Sequence, residues 1–250
     1  MGWGWAGEES GVDTVRKVAV VTGASRGIGA ALVEAYRGLG YAVTAAARSI
    51  EGSGDPEVLA VAGDLAEPGG GARVVEAAME RFGRIDTLVN NAGVFVAKPF
   101  TDYTDEDFDT VVGVNLRGFF EVTRGAIAAM LSREGGGGGH VVNISTSLVD
   151  QAEAESTSGL ASLTKGGLNA VTKALAIEYA TRGIRVNTVS LGIIRTPMHP
   201  EDPGGALAAH HPVKRMGEIE DVVGAIRYLE QAPFVTGEIA HVDGGQSAGH

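Results

Sequence analysis

Lys17-Val18-Ala19-Val20-Val21-Thr22-Gly23-Ala24-Ser25-Arg26-Gly27-Ile28-Gly29 runs from a short apolar segment into a turn with glycine at 23, 27 and 29. A bounded, valine-rich run of this length reads as a buried strand. The glycines let the chain turn tightly, and the residues that follow open a helix. Strand, glycine turn and helix in that order aim backbone N–H groups at the positive end of a helix, where an anion is stabilised.

Outward from that unit the strand pattern recurs. Tyr41-Ala42-Val43-Thr44-Ala45-Ala46-Ala47, Val58-Leu59-Ala60-Val61-Ala62, Thr87-Leu88-Val89-Asn90, His140-Val141-Val142-Asn143-Ile144, Arg185-Val186-Asn187-Thr188-Val189 and Glu238-Ile239-Ala240-His241-Val242 are short apolar runs with helical stretches between them. Alternation of this kind predicts an α/β fold: a doubly wound, Rossmann-type parallel sheet of about seven strands with helices on both faces, in three αβα layers. The longest predicted helix covers residues 159–181, with Leu160, Leu163, Leu168, Val171 and Leu175 near helical spacing. Residues 135–139 are five consecutive glycines. They read as a flexible loop and not as a phosphate cradle, because no helix follows them.

The chain has 250 residues, enough for one α/β domain over residues 16–250. Residues 1–15 read as a flexible extension; Met1-Gly2-Trp3-Gly4-Trp5-Ala6-Gly7-Glu8-Glu9-Ser10 lacks the basic and apolar regions of a signal peptide. No apolar run approaches the roughly eighteen residues that cross a membrane. Zero cysteines exclude disulfides and thiolate metal sites and suit a cytoplasmic protein. A net charge of −11 argues against nucleic-acid or anionic-membrane partners. No metal site is expected, since no ligand spacing matches a common pattern.

The spacing Gly23-x-x-x-Gly27-x-Gly29 resembles the dinucleotide fingerprint of the short-chain dehydrogenase/reductases. The resemblance continues through Asp64-Leu65, Asn90-Asn91-Ala92-Gly93, Asn115, Asn143-Ile144-Ser145, Lys165, Ile194-Arg195-Thr196-Pro197-Met198, Thr236-Gly237-Glu238 and Val242-Asp243-Gly244-Gly245. It implies that Gly23, Ser25, Arg26, Gly27, Ile28 and Gly29 cradle a cofactor pyrophosphate. It further implies that Asp64 and Leu65 hold the adenine, that Asn91, Ala92 and Gly93 line the cofactor, and that Ile194 and Thr196 meet the nicotinamide. The family usually has Pro-Gly ahead of that threonine, whereas this chain has Leu191-Gly192, which loosens the φ restraint on the turn.

Charge indicates which nucleotide is preferred. A site for NAD offers a carboxylate at the end of the second strand, and here that place is Ala47. Arg48 follows it and Arg26 lies in the glycine turn, which suits a 2′-phosphate and predicts NADP(H) in preference to NAD(H). Either arginine also has the plainer reading of a solvated surface charge.

For catalysis the resemblance implies Asn115, a hydroxyl within Ser145-Thr146-Ser147, and Lys165. Asn115 would bend its helix and anchor a water; Thr146 or Ser147 would hold a carbonyl oxygen. Lys165 would either assist proton transfer or only bind the cofactor ribose. The family's proton-transferring tyrosine stands one helical turn before the lysine, and here that residue is Ala161. A methyl group carries no proton. Losing a positioned general acid costs about 10²–10⁴ in rate. Ser158 and Ser162 lie near the same helix face, and Asp150, Glu153 and Glu155 lie in the loop before it, where they read as solvated charge. His199, His210 and His211 fall in residues 193–216, which read as a proline- and glycine-marked substrate lid with exposed histidines.

Two functions follow. The first is an NADP(H)-dependent oxidoreductase acting on a small carbonyl or alcohol with atypical proton transfer. The second is a non-redox homologue, such as a dehydratase, isomerase, cyclase or nucleotide-binding sensor, using the same pocket. The family resemblance also implies self-association, as a homotetramer or else a dimer.

Overall fold

The computed structural model describes residues 16–133, 137–153, 156–199, 201–202 and 204–249. The expected extension over residues 1–15, the first two glycines of the 135–139 run, Glu155, and the lid residues Pro200 and Pro203 lie outside them. In chain order the elements are β1 (Val18–Thr22), α1 (Gly27–Gly38), β2 (Ala42–Ala47), β3 (Val58–Ala62), α2 (Gly70–Phe82), β4 (Thr87–Asn90) and α3 (Asp105–Val112). There follow α4 (Phe119–Leu131), β5 (Gly139–Thr146), α5 (Gly159–Tyr179), β6 (Ile184–Leu191), α6 (Ala206–Ala209), α7 (Ile219–Gln231) and β7 (Ile239–Val242).

The seven strands pair in the order β3-β2-β1-β4-β5-β6-β7, and every pairing is parallel. Side chains alternate across the sheet, so each central strand feeds both faces. Ala19, Val21, Val89 and Val142 pack on one face with Leu32 and Tyr36 of α1 and Ile226 and Leu229 of α7. Val20, Leu88 and Val141 pack on the other face with Val75 and Ala78 of α2 and Val122 and Met130 of α4. This is the doubly wound, three-layer fold expected from the sequence. The order reverses between β1 and β4, and a ligand crevice opens at such a switch point beyond the carboxyl ends of the strands.

A buried polar ladder crosses the sheet there. Asn90 donates from Nδ2 to Thr123 and to Asn143, both at 2.9 Å. Asn143 donates to Thr172 at 2.8 Å, and Thr172 meets Thr188 at 2.7 Å. Each buried amide is thereby paired, and β4, β5 and β6 are locked to α4 and α5.

The helix that leads into α4 begins at Asp105 and passes through a π-helical turn at Gly113–Gly118. Thr104 and Asp107 form a capping box that starts it. The glycine run is not loop throughout: Gly139 already pairs as the first residue of β5, opposite Ile184.

Candidate active site

A cavity of about 950 Å³ occupies the switch-point crevice. It is lined by every residue expected at the cofactor, from the glycine turn through Asp64 and Asn91 to Thr196, and by Ser145, Thr146, Ser147, Ala161 and Lys165.

The glycine turn forms one wall. Gly23 has φ of +67°, a left-handed conformation that favours glycine. A Cβ on Gly29 would fall 2.1 Å from the carbonyl oxygen of Gly23, so only glycine allows strand end and helix start to touch. Arg26 precedes α1 in extended conformation; no side chain caps the helix, and its first turn carries no acid. Uncapped helix N–H groups beside a cavity suit a phosphate-bearing ligand. Asn91 braces the turn, donating to the carbonyls of Thr22 and Gly23 at 2.9 and 3.2 Å. At the far end Arg26 and Arg48 are exposed, and no ion-pair partner for either lies among the described residues. Asp64 accepts from the Ala66 N–H at 2.9 Å, which fixes its carboxylate. The donor set and the absence of any bulky group in this cradle fit a dinucleotide.

The floor is the end of β5 and the start of α5. Lys165 donates to the Ile144 carbonyl at 2.8 Å, and burial lowers its pKa to about 8. Asn115 sits in the π-helical turn and pairs both ways with Val94, accepting from its N–H at 2.9 Å and donating to its carbonyl at 3.1 Å. A Cβ on Gly93 would lie 3.1 Å from Nζ of Lys165 and 3.5 Å from Oδ1 of Asn115, so all three converge. The three hydroxyls have different partners. Ser145 Oγ reaches the Lys165 carbonyl at 3.4 Å. Ser147 is buried and donates to Gln246 Oε1 at 2.7 Å. Thr146 accepts from the Leu148 N–H at 3.3 Å and keeps its own hydrogen for another acceptor. Ala161 is buried in the protein but faces this cavity, one helical turn from Lys165. Ser158 and Ser162 meet each other at 3.3 Å.

The remaining wall corrects the reading of the loop and the histidines. His211 is not exposed. Its Nε2 accepts from the Ile193 N–H at 2.9 Å, and a Cβ on Gly192 would lie 2.7 Å from that nitrogen. The turn after β6 is thus held by a histidine instead of a proline. Burial, then the neighbouring His210, lowers the His211 pKa. Glu153 is not a solvated charge: its carboxylate lies 2.5 Å from Nδ1 of His210 and also accepts from Gln246 Nε2. Asp150 keeps a more exposed contact, 3.1 Å from His241 Nε2. His199 lines the cavity, and its backbone bridges Thr196. The sequence reading missed Gln246 altogether and did not join Glu153 to His210. They come from three distant segments, and no spacing marks them.

Comparison with known proteins agrees with this geometry. The family described as Enoyl-(Acyl carrier protein) reductase matches residues 23–247. An uncharacterised oxidoreductase of Methylorubrum extorquens is 37% identical, over 92% of this chain and 97% of its own length. The crystal structure of 3-ketoacyl-(acyl-carrier-protein) reductase from Brucella melitensis complexed with NADH superposes with a TM-score of 0.83 at 31% identity, covering 92% of this chain and 98% of that one. A blue fluorescent protein from a metagenomic library, in complex with NADPH, gives 0.81 at 31% identity, covering 92% and 97%. The glycine cradle, the switch-point cavity and these relatives together place the chain in the short-chain dehydrogenase/reductase family.

Proposed function

We propose that this protein is an NADP(H)-dependent oxidoreductase that interconverts a small carbonyl compound and its alcohol, with proton transfer rearranged around Ala161. The observation that carries this reading is the single cavity joining the uncapped start of α1 to Lys165 and the residue 145–147 hydroxyls. A bound nicotinamide would supply or accept the hydride. The glycine turn binds its pyrophosphate, Arg26 and Arg48 bind the 2′-phosphate, and Asp64 and Leu65 hold the adenine. Lys165 holds the ribose, while Ile194 and Thr196 orient the nicotinamide. Thr146, with its hydrogen uncommitted, holds the carbonyl oxygen; Ser147 is already committed to Gln246. Residues 193–216 cover the substrate.

Purified protein tests this directly. NADPH should bind, and its absorbance should fall with at least one member of a broad carbonyl panel. Tight NADPH binding with no turnover in either direction would overturn the assignment. It would favour the non-redox reading, which the methyl group of Ala161 in the cavity supports.

The same reading makes the enzyme a cytoplasmic homotetramer, with a dimer as the second form. Phe120 on α4 and Leu163 and Ile177 on α5 are 56%, 58% and 80% exposed, apolar surface suited to a partner copy. Among the described residues no helix is long and apolar enough to cross a membrane. A monomeric mass in solution scattering at micromolar concentration would remove the oligomer from the proposal.

A further inference from the structure

Four side chains from three parts of the chain form an unbroken hydrogen-bonded line along one wall of the cavity. Ser147, just after β5, donates to Oε1 of Gln246 at 2.7 Å. Gln246, in the tail, donates from Nε2 to Oε1 of Glu153. The other carboxylate oxygen of Glu153 lies 2.5 Å from Nδ1 of His210, just after α6. All four line the same cavity as Ala161 and Lys165. The pair is sheltered: the Glu153 and His210 side chains are 13% and 27% exposed.

The chemistry of this line is specific. A carboxylate on Nδ1 fixes that nitrogen as the one carrying hydrogen in the neutral ring. Nε2, the second ring nitrogen, has no hydrogen-bond partner among the described residues and is left to meet a ligand. The amide of Gln246 is oriented by both neighbours, since its oxygen must accept from Ser147 and its nitrogen must donate to Glu153. Glu153 therefore cannot turn away from His210 without leaving a buried amide unpaired, which costs more than the bond itself contributes. A surface ion pair would show neither this burial nor this backing.

We propose that His210 is the general acid and base of this enzyme, with Glu153 as its positioning residue, taking the part for which Ala161 carries no group. The inference rests on the oxidoreductase reading above. In carbonyl reduction the hydride from a bound NADPH adds to the carbonyl carbon, and the C=O π pair moves to oxygen. That oxygen takes the proton from Nε2 of the imidazolium. The neutral imidazole keeps its Nδ1 hydrogen on Glu153 and regains the Nε2 proton from water through its exposed edge. Oxidation of the alcohol runs the same steps in reverse. Of the other titratable groups, His211 is beside His210 in the chain with Asp243 close to His211, and Lys165 and His199 line the same cavity.

The test combines NMR of the cofactor-free protein with kinetics. In the wild type, the neutral His210 ring should carry its hydrogen on Nδ1, facing Glu153, and Glu153→Gln should shift it toward Nε2. For a carbonyl that the wild type reduces, His210→Asn should lower kcat by about 10²-fold, and added imidazole should restore part of it. NADPH affinity and melting temperature should stay close to wild type in both variants. Reduction by the wild type should fall with rising pH, and His210→Asn should lose that limb. An active wild type whose variants keep kcat and pH profile would overturn the proposal and leave the pair as a clasp between two loops. A wild type that binds NADPH but reduces nothing would overturn it as well, by removing the oxidoreductase reading beneath it, and the two failures are told apart by the wild type alone.

Discussion

Lys165 reaches back from α5 to β5, where its Nζ donates to the carbonyl of Ile144 at 2.8 Å. A single backbone carbonyl does not replace the water that the ammonium loses, so burial lowers its pKa from 10.5 to about 8. Between those values the unfolded chain binds more protons at this site than the folded one. Stability therefore rises with pH across that window, and the full penalty applies below it. Lys165→Met should stabilise the cofactor-free protein by on the order of 1 kcal/mol at neutral pH, and the gain should vanish toward pH 10.5. Denaturant unfolding at several pH values measures both.

NADPH should bind more tightly than NADH. Each charge-assisted bond from Arg26 or Arg48 to a 2′-phosphate contributes about 1.5–3 kcal/mol. Arg48→Asp should erase or reverse the preference by removing a guanidinium and putting a carboxylate next to Ala47, the place where an NAD site carries one. Calorimetry with the two cofactors decides it, and equal wild-type affinities would count against both arginines.

Ala161→Tyr should place a phenol one turn from Lys165 and facing the cavity. The ammonium favours the phenolate, which brings its pKa toward the working range. Carbonyl reduction should rise by roughly tenfold or more, a modest share of what a positioned acid supplies. A variant that folds and binds NADPH but loses its product-forming activity would mean that the small residue makes room for a substrate group.

At the opposite end of the sheet Glu230 should govern acid stability. It accepts from Tyr41 at 2.8 Å, Thr87 at 3.1 Å and Tyr36 at 3.2 Å, and it lies 2.9 Å from His140 Nδ1. Burial pushes its carboxyl up, but the bonds from His140, Tyr41 and Thr87 outweigh that and hold it at about 2. His140 is neutral, because its Nε2 must accept from Asn187 Nδ2, and burial lowers its pKa below 6.5. Both groups have folded values below their unfolded ones, so the unfolded chain takes up more protons and stability is lost as pH falls. The loss should begin below 6.5 with His140 and continue from 4.5 toward 2 with Glu230. Glu230→Gln should cost about 3 kcal/mol at neutral pH in denaturant unfolding, leaving NADPH affinity unchanged.

The sequence by itself determined the fold and which residues line the nucleotide-expected side of the cavity. Seven short apolar runs alternating with helical ones leave few arrangements other than a parallel sheet, because the period of the pattern is the period of the backbone. Gly23, Gly27, Gly29 and Asn91 were legible because they act through backbone shape within a local stretch, where spacing carries the information. Only the tertiary structure decided which of Thr146 and Ser147 keeps a free hydrogen, since the partner of Ser147 is Gln246 in the tail. It alone turned Glu153 and His210 from a loop charge and a lid histidine into a sheltered pair. It also set His211 behind Gly192 in the place of a proline restraint. Interactions between residues so far apart along the chain depend on how its ends are brought round the sheet, and no local pattern encodes that.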